Sequence, residues 1–178
     1  NSFEEKIIYK NVKNLLPGSW LIFQRENLVI EKYWEMEEWF NKPKFNGTKS
    51  ECLDLLNIEL RKAVKRQYSA DVPVSLFLSG GIDSTAIALA SGDLDSSKKA
   101  YTAFFDERSS NLDYLNAQNV ASRLNFEHEL ISISEKDIGE IINKLVKIHD
   151  EPFGDAANIP LYLMSKEFSH DGKVVIQG

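Results

Sequence analysis

One stretch of the sequence, residues 74–91, restricts the possible fold and function more than any other. It begins with a continuous apolar run over residues 74–78, which predicts a buried strand, and it ends in an apolar, helix-like segment. Residues 79–84 between them read Ser-Gly-Gly-Ile-Asp-Ser. Because Gly80 and Gly81 lack β-carbons, the backbone can turn sharply there and bring N–H groups close to an anion. The pattern predicts a phosphate-binding turn between a strand and a helix.

Asp83 is the unusual member of this turn, because a carboxylate beside a phosphate is repulsive unless a cation lies between them. A Mg²⁺ ion would remove the repulsion, so we expect Asp83 to be a metal ligand. Ser79 and Ser84 add hydroxyl donors, and the start of the following helix adds free N–H groups and a partial positive charge. The turn is not a Walker A loop, since no Gly-Lys-Ser/Thr follows the glycines. An ordinary strand-to-helix turn with two glycines is the plainer alternative.

The composition is typical of a globular protein that does not cross a membrane. Of 178 residues, 43% are hydrophobic and 27% are charged, and no apolar run approaches the roughly 20 residues that span a bilayer. No signal peptide is recognisable, and the single cysteine, Cys52, cannot form an internal disulfide, so we expect a cytoplasmic protein. Basic residues cluster only over residues 61–66, which we interpret as a solvated helix face. Neither a nucleic acid nor a membrane is expected as a partner.

The order of predicted elements after residue 47 indicates an α/β fold. The predicted strands are 74–78, 100–105, 127–133 and 173–177, and the predicted helices are 48–68, 83–92, 112–124, one capped by Ser134 and one after Pro160. Thr48 and Glu51 have the spacing of a capping box. Such alternation predicts a parallel sheet with helices on both faces, and ligands of such sheets bind beyond the carboxyl ends of the strands. The glycine turn lies at one of these ends.

The first 40 residues differ in character from the rest. Residues 20–23 and 28–34 are predicted to be the strands of a β-hairpin, with a turn at Glu26 and Asn27. A lone hairpin is marginally stable, so it must pack on another part of a protein. Residues 35–49 are predicted to be a linker region. The expected organisation is residues 1–40 from one domain, 41–49 as the linker, and 50–178 from a second domain.

The Ser-Gly-Gly-x-Asp-Ser turn resembles the pyrophosphate loop of the ATP pyrophosphatases, and further stretches resemble the asparagine synthetases in particular. They are Tyr-Thr-Ala-Phe-Phe at 101–105, residues 113–121, Glu-His-Glu at 127–129, Asp-Glu-Pro-Phe-Gly-Asp at 150–155, Ile-Pro-Leu-Tyr-Leu-Met-Ser at 159–165 and Lys-Val-Val-Ile-Gln-Gly at 173–178. Their order and spacing are those of the family. Residues 15–34 also resemble the last strands of that family's glutaminase domain, so the resemblance covers essentially the whole chain.

The resemblance implies a function and a set of site residues. In that family a synthetase domain uses ATP and Mg²⁺ to adenylate a carboxylate, and ammonia from glutamine then forms the amide. It implies asparagine formation from aspartate in a parent protein that is expected to be a homodimer. The residues implied to hold pyrophosphate and Mg²⁺ are Ser79, Gly80, Gly81, Asp83 and Ser84. Of these, Ser79, Asp83 and Ser84 are implied to be catalytic, and Asp83 to be the metal ligand. Those implied to contact the rest of the nucleotide are Leu78, Phe104, Gln177 and Gly178.

Two departures from the family pattern limit what this chain is expected to do by itself. It begins with Asn1 where glutamine-dependent members begin with a nucleophilic cysteine, and Cys52 lies in a predicted helix, so no glutaminase chemistry is expected. In the family the strand equivalent to 173–177 continues into an acidic Gly-x-Asp-Glu loop that supplies catalytic carboxylates. We therefore expect an internal fragment of a longer synthetase, inactive when isolated.

The acidic segment at residues 150–155 has two interpretations that remain open. Asp150, Glu151 and Asp155 fit binding of Mg²⁺ or of the acceptor, and they equally fit a loop of solvated acids after a helix that ends at Pro152. One bacterial branch of asparagine synthetases has Thr-Thr-Ile-Arg in this region, where the arginine suits an amino-acid carboxylate. Its absence leaves a second acceptor open, namely another carboxylate, as in the asparagine synthetase-like amidotransferases.

Other residues favour structural roles. Asp113 is interpreted as an acid at a helix start rather than a site residue. His128, His149 and His170 lack the spacing of metal ligands and are interpreted as structural or solvent-facing.

Two other functions remain as alternatives to an amide-forming ligase. One is a tRNA-modifying adenylating enzyme, which would be expected to show a broader basic surface, and the other is a nucleotide-binding module without catalysis.

Overall fold

A computed structural model describes residues 7–92, 94, 98–105, 112–133, 135–149, 154–155 and 157–178. The chain divides into two compact units, Asn1–Gly47 and Thr48–Gly178. Across the described residues, no helix combines the length and the apolar character that crossing a membrane requires.

The first unit contains a β-hairpin. Strands β1 (Ser19–Gln24) and β2 (Asn27–Lys32) pair antiparallel. The turn consists of Arg25 and Glu26, both with positive φ angles, 49° and 67°, as in the two-residue type I′ turns that suit twisted hairpins. Asn27, predicted to lie in the turn, instead pairs with Gln24 as the first residue of β2.

A short helix, α1 (Met36–Phe40), lies inside the segment predicted to be a linker. The predicted linker region therefore contains a helical turn that the sequence did not indicate. Five residues make little more than one helical turn, which is too short for hydrophobic periodicity to show in a sequence window.

The second unit is built on a four-stranded parallel sheet. Its strands are β3 (Val74–Phe77), β4 (Lys99–Phe105), β5 (Glu127–Ile133) and β6 (Val174–Ile176), in the spatial order β5-β4-β3-β6. Its helices are α2 (Lys49–Gln67), α3 (Ile82–Ser91), α4 (Leu112–Arg123), α5 (Glu135–His149) and α6 (Asn158–Phe168). The predicted α/β fold with a parallel sheet is confirmed.

Helices cover both faces of this sheet, as predicted. Successive residues of a strand point to opposite faces, so Leu76 and Phe77 belong to different apolar clusters. On one face the strands pack against α3 and α4 through small residues; that cluster is Leu76, Leu78, Ala88, Ala100, Ala117, Ala121 and Phe126. On the other they pack against α5 and α6 through larger ones; that cluster is Phe77, Tyr101, Ile131, Ile133, Ile141, Leu163, Met164 and Phe168.

Helix α2 begins with the predicted capping box. The Thr48 side chain accepts a hydrogen bond from the Glu51 backbone N–H, and the Glu51 carboxylate accepts one from the Thr48 N–H at 2.7 Å. The latter bond, with the Thr48 hydroxyl, lowers the pKa of Glu51. The predicted apolar face is only partly packed, since Leu56 is 62% exposed whereas Val64 is 5% exposed. Packing of α2 is thus concentrated towards its C-terminal end.

Helix α6 begins two residues before Pro160 rather than after it. A proline fits the first turn of a helix, because the N–H groups there have no partner within the helix. Pro160 therefore lies within the first turn of α6 and does not mark the start of the helix. The predicted cap of α5, Ser134, lies outside the described residues.

The strand order places a crevice where ligands of such folds bind. From β3 the chain proceeds to β4 and β5 on one side, and it then returns to add β6 on the other side of β3. The chain leaves the carboxyl end of β3 through α3 towards β4, away from β6, so a crevice is expected beyond the ends of β3 and β6.

Candidate functional site

The glycine loop joins β3 to α3 and is held closed by its own two serines. The Oγ atoms of Ser79 and Ser84 are 3.0 Å apart, and the Ser79 N–H donates to Ser84 Oγ at 3.3 Å. Ser84, which is buried, also donates to the Gly81 carbonyl, and the Gly81 N–H donates to Ser79 Oγ, each at 3.3 Å. The hydroxyls thus brace the loop, and the first N–H groups of α3, which have no acceptor within the helix, remain for an anion.

The two glycines have different roles in this loop. Gly80 adopts a φ of +78°, a left-handed conformation that side chains disfavour. Gly81 is the N-cap of α3 with an extended backbone and no side-chain cap. An anion at this position would take the place of the missing cap, because it would accept from the N–H groups and interact favourably with the helix dipole.

Gly178, at the end of β6, lies against the start of α3. A β-carbon on Gly178 would lie 2.8 Å from Ile87 Cδ1, 3.1 Å from the Ser84 nitrogen and 3.2 Å from the Asp83 carbonyl carbon. A side chain at this position would require Ile87 to move and the start of α3 to shift by a few tenths of an ångström. The ends of β3 and β6, which are adjacent in the sheet, thereby form one continuous surface with the glycine loop.

A cavity of about 490 Å³ opens at these strand ends. It is lined by seven of the residues singled out from the sequence: Leu78, Ser79, Ser84, Phe104, Asp155, Gln177 and Gly178. A volume of this size suits a small organic ligand. Its lining is mainly apolar and includes Tyr114, whose ring meets Phe104 edge to face at a centroid distance of 5.7 Å.

The sequence model of the asparagine synthase family matches residues 55–178, which is most of the second unit. The chain belongs to the asparagine synthase family. The membership expected from the motifs is confirmed.

Relatives of the chain match it over almost its full length. It is 31% identical to a protein of Methanocaldococcus jannaschii provisionally named glutamine-hydrolysing asparagine synthetase 2, over 96% of this chain and 33% of that protein. It is 29% identical to the glutamine-hydrolysing asparagine synthetase 3 of Bacillus subtilis, over 96% of this chain and 30% of that protein. The chain thus spans about a third of the length of these curated relatives.

A solved structure of the glutamine-dependent NAD+ synthetase of Acinetobacter baumannii, in complex with ADP, is also similar. The TM-score is 0.47 at 21% identity, and the match covers 85% of this chain and 30% of that one.

The other residues implied by the family resemblance either do not line the cavity or lie outside the described residues. Gly80, Gly81 and Asp83 belong to the loop but are not among the cavity-lining residues. Asp83 is exposed in the first turn of α3. Asp150 and Glu151 lie outside the described residues.

Two carboxylates line the cavity from outside the glycine loop. Asp155 accepts a hydrogen bond from the Ala157 N–H at 2.9 Å, just before α6, and the side chain is exposed. Asp113 lies in the first turn of α4, as interpreted from the sequence, and it also lines the cavity. Its place at the start of the first helix after β4, on the side of the strand's carboxyl end, was the signal for this second role.

Thr102 is a cavity-lining residue that the sequence analysis missed. It is buried, its hydroxyl donates to the Leu78 carbonyl, and its Oγ1 lies 2.7 Å from His128 Nε2. Burial lowers the pKa of His128. The available signal was a polar residue inside an apolar strand.

Within the described part of the chain, no group of three or more His, Cys, Asp or Glu side chains is arranged to hold a metal ion.

Proposed function

We propose that the protein to which this chain belongs is an ATP-dependent, AMP-forming amide synthetase. It would convert aspartate to asparagine, with glutamine or ammonia as the nitrogen source. The observation that carries this proposal is the serine-braced glycine loop at the end of β3, which opens onto a cavity shared with the end of β6. Membership of the asparagine synthase family supports it.

In the first step of the proposed reaction, a carboxylate oxygen of the acceptor attacks the α-phosphorus of ATP. The bond from that phosphorus to the bridging oxygen breaks, and pyrophosphate leaves with the bonding electron pair. Negative charge therefore grows on pyrophosphate in the transition state. The first backbone N–H groups of α3 are fixed donors for that charge, which is the arrangement that most effectively stabilises it.

In the second step the nitrogen lone pair of ammonia attacks the acyl carbon. AMP leaves with the electrons of the acyl–oxygen bond, and the nitrogen loses a proton to give the neutral amide. Asp113 and Asp155 also line the cavity. As carboxylates they would accept hydrogen bonds from the ammonium group of an amino-acid acceptor, which would orient its side-chain carboxylate towards the nucleotide.

The rest of the nucleotide would occupy the apolar part of the cavity. Phe104 and Tyr114 provide an aromatic wall there, and flat aromatic faces pack well against a purine. Leu78, Gln177 and Gly178 would contact the adenosine from the strand ends.

A Mg²⁺ ion fits the donors present. Mg²⁺ in nucleotide sites is usually held by one or two carboxylates together with phosphate oxygens and water. Asp83 beside the loop would provide such a carboxylate, and Asp113 or Asp155 a second one. When bound, the ion would neutralise charge on the phosphates.

We further propose that the hairpin belongs to the end of a glutaminase-type domain. Its apolar side chains are unusually exposed for strands, with Phe23 68% and Ile30 55% exposed. A second layer packed on them would bury this surface. The family match begins at residue 55, after the hairpin.

ATP–pyrophosphate exchange tests the function in the full-length parent protein. Exchange that requires aspartate, with AMP and asparagine formed in equal amounts when ammonia is added, is expected. Formation of ADP instead of AMP would contradict the proposal. Exchange that requires a different carboxylate would assign the protein to the amidotransferases with other acceptors. ATP binding without exchange for any carboxylate would indicate a nucleotide-binding module.

A further inference from the structure

A partly buried chain of hydrogen bonds connects the glycine loop to β5. Thr102 Oγ1 contacts two groups, the carbonyl oxygen of Leu78 and Nε2 of His128. The carbonyl can only accept, and a hydroxyl has a single proton to donate. The Thr102 proton therefore points to Leu78, and Oγ1 must accept from His128. The geometry requires His128 to carry a proton on Nε2.

These hydrogen bonds affect the glycine loop because of the position of Leu78. Leu78 is the residue just before the glycine loop, and its N–H donates to the Tyr101 carbonyl at 2.9 Å. Its carbonyl is held by Thr102, so β4 contacts it on both its N–H and its carbonyl side. His128 pairs with Ala100 in the sheet, and its ring reaches along the same face to Thr102. Three neighbouring strands thus fix the point at which the chain enters the loop.

We propose that His128 is a positioning residue for the nucleotide site: through Thr102 it fixes the Leu78 carbonyl, and with it the direction in which β3 enters the phosphate-binding loop. His128 itself does not line the cavity, whereas Thr102 and Leu78 do. The inference rests on the proposed function only in naming ATP as the nucleotide.

A purely structural pair would satisfy the same hydrogen bonds. Buried polar groups need partners, and a threonine and a histidine that only satisfied each other would affect stability without affecting the loop. The two roles differ in what a substitution does to nucleotide binding.

The test is the KM for ATP in pyrophosphate exchange by the full-length protein. In His128→Leu it is expected to rise about fivefold, the effect of one ordinary hydrogen bond. Thr102→Val should give a similar rise, and the double variant should be no worse than the worse single variant, because both remove one linked contact. His128→Gln, which keeps an N–H donor, and Thr102→Ser, which keeps the hydroxyl, should remain within about twofold of wild type.

Glu129→Gln is the matched control. Glu129 is the next residue of β5 and pairs with Lys99 of β4 at 3.1 Å, outside the cavity. Its KM for ATP should not change. A folded His128→Leu variant with unchanged KM, or strictly additive effects of the two substitutions, would overturn the proposal.

A second measurement separates this inference from the proposed function. The ¹⁵N spectrum of histidine-labelled full-length protein should show the Nε2–H form of His128. The Nδ1–H form would overturn the positioning role, whatever reaction the protein catalyses. If the Nε2–H form is found and ATP binding by titration weakens in His128→Leu while no carboxylate supports exchange, the proposed reaction fails and the positioning role stands.

Discussion

A β-carbon on Gly80 would lie 2.5 Å from the carbonyl oxygen of Asp113 and 2.8 Å from the Ala117 nitrogen. The glycine loop and the first turn of α4 are therefore in backbone contact. This contact brings the α4 carboxylate to the same cavity as the loop.

Gly80→Ala is expected to weaken ATP binding about tenfold or more. The substitution adds a clash with helix backbone to a φ angle that costs a side chain roughly 1–2 kcal/mol. Isothermal titration of the full-length protein with ATP would measure the loss. Gly139→Ala is the control, because a β-carbon there meets nothing within 4 Å and a helical alanine is slightly more stable than glycine. Equal ATP affinity in both variants would contradict a special role for Gly80.

Two equally buried serines of α3 allow two effects of substitution to be distinguished, namely the loss of the hydrogen bonds that brace the loop and a general loss of stability. Ser84 bonds to Ser79 and Gly81 in the loop, whereas Ser91 donates to the Ala88 carbonyl at the other end. Replacement of either by alanine should lower the free energy of unfolding by about 1 kcal/mol. We expect only Ser84→Ala to raise the KM for ATP, by about tenfold. Comparable KM values in both variants would show that the bracing bonds do not matter for binding.

Asp83→Asn tests the proposed metal contact. If Asp83 holds Mg²⁺, the variant should need a higher Mg²⁺ concentration for half-maximal pyrophosphate exchange, and excess Mg²⁺ should restore part of the rate. The measurement is the exchange rate as a function of free Mg²⁺ at saturating ATP. An unchanged Mg²⁺ dependence would remove Asp83 from the metal site.

The pH dependence of stability should report the burial of His128. Burial lowers its pKa below the ordinary histidine value of 6.5, so the unfolded chain takes up the proton first. The contribution of the neutral His128 ring to the free energy of unfolding is complete above pH 6.5, and it is lost as the pH falls through the folded-state pKa. The free energy of unfolding, measured in urea from pH 8 to pH 5, should therefore fall less in His128→Gln than in wild type.

The exposed His170 provides the control for this experiment. His170→Gln should retain the wild-type fall in the unfolding free energy, because its ring lies outside the buried network. Parallel curves for wild type and His128→Gln would show that the buried ring does not titrate differently on folding.

Local sequence patterns predicted much of this fold because the residues of each pattern themselves determine the local structure. Thr48 and Glu51 satisfy each other within one turn, and four of residues 74–78 are apolar because the strand is covered on both faces. The loop glycines predicted the turn since few other residues fit it. The short α1 helix lacked such a signal, and the true start of α6 was hidden because Pro160 is compatible with two boundaries.

Contacts between distant residues account for what the sequence did not reveal. Thr102 and His128 are 26 positions apart, and each looks like an ordinary strand residue until β4 and β5 are paired in register. Asp113 could be recognised as a helix-start acid, but its place in the cavity depends on how closely α4 approaches Gly80. Spacing along one segment does not contain this information.

The pairing of Val74 with Val174 joins strands about 100 positions apart in the chain. During synthesis, β3 and its loop would emerge long before β6 is available, and closing so long a loop is entropically costly and slow. The pocket beside Gly178 would therefore be completed late in folding. A nucleotide that contacts both strand ends would bind only after β3 and β6 have paired, and it would hold these two distant strands together.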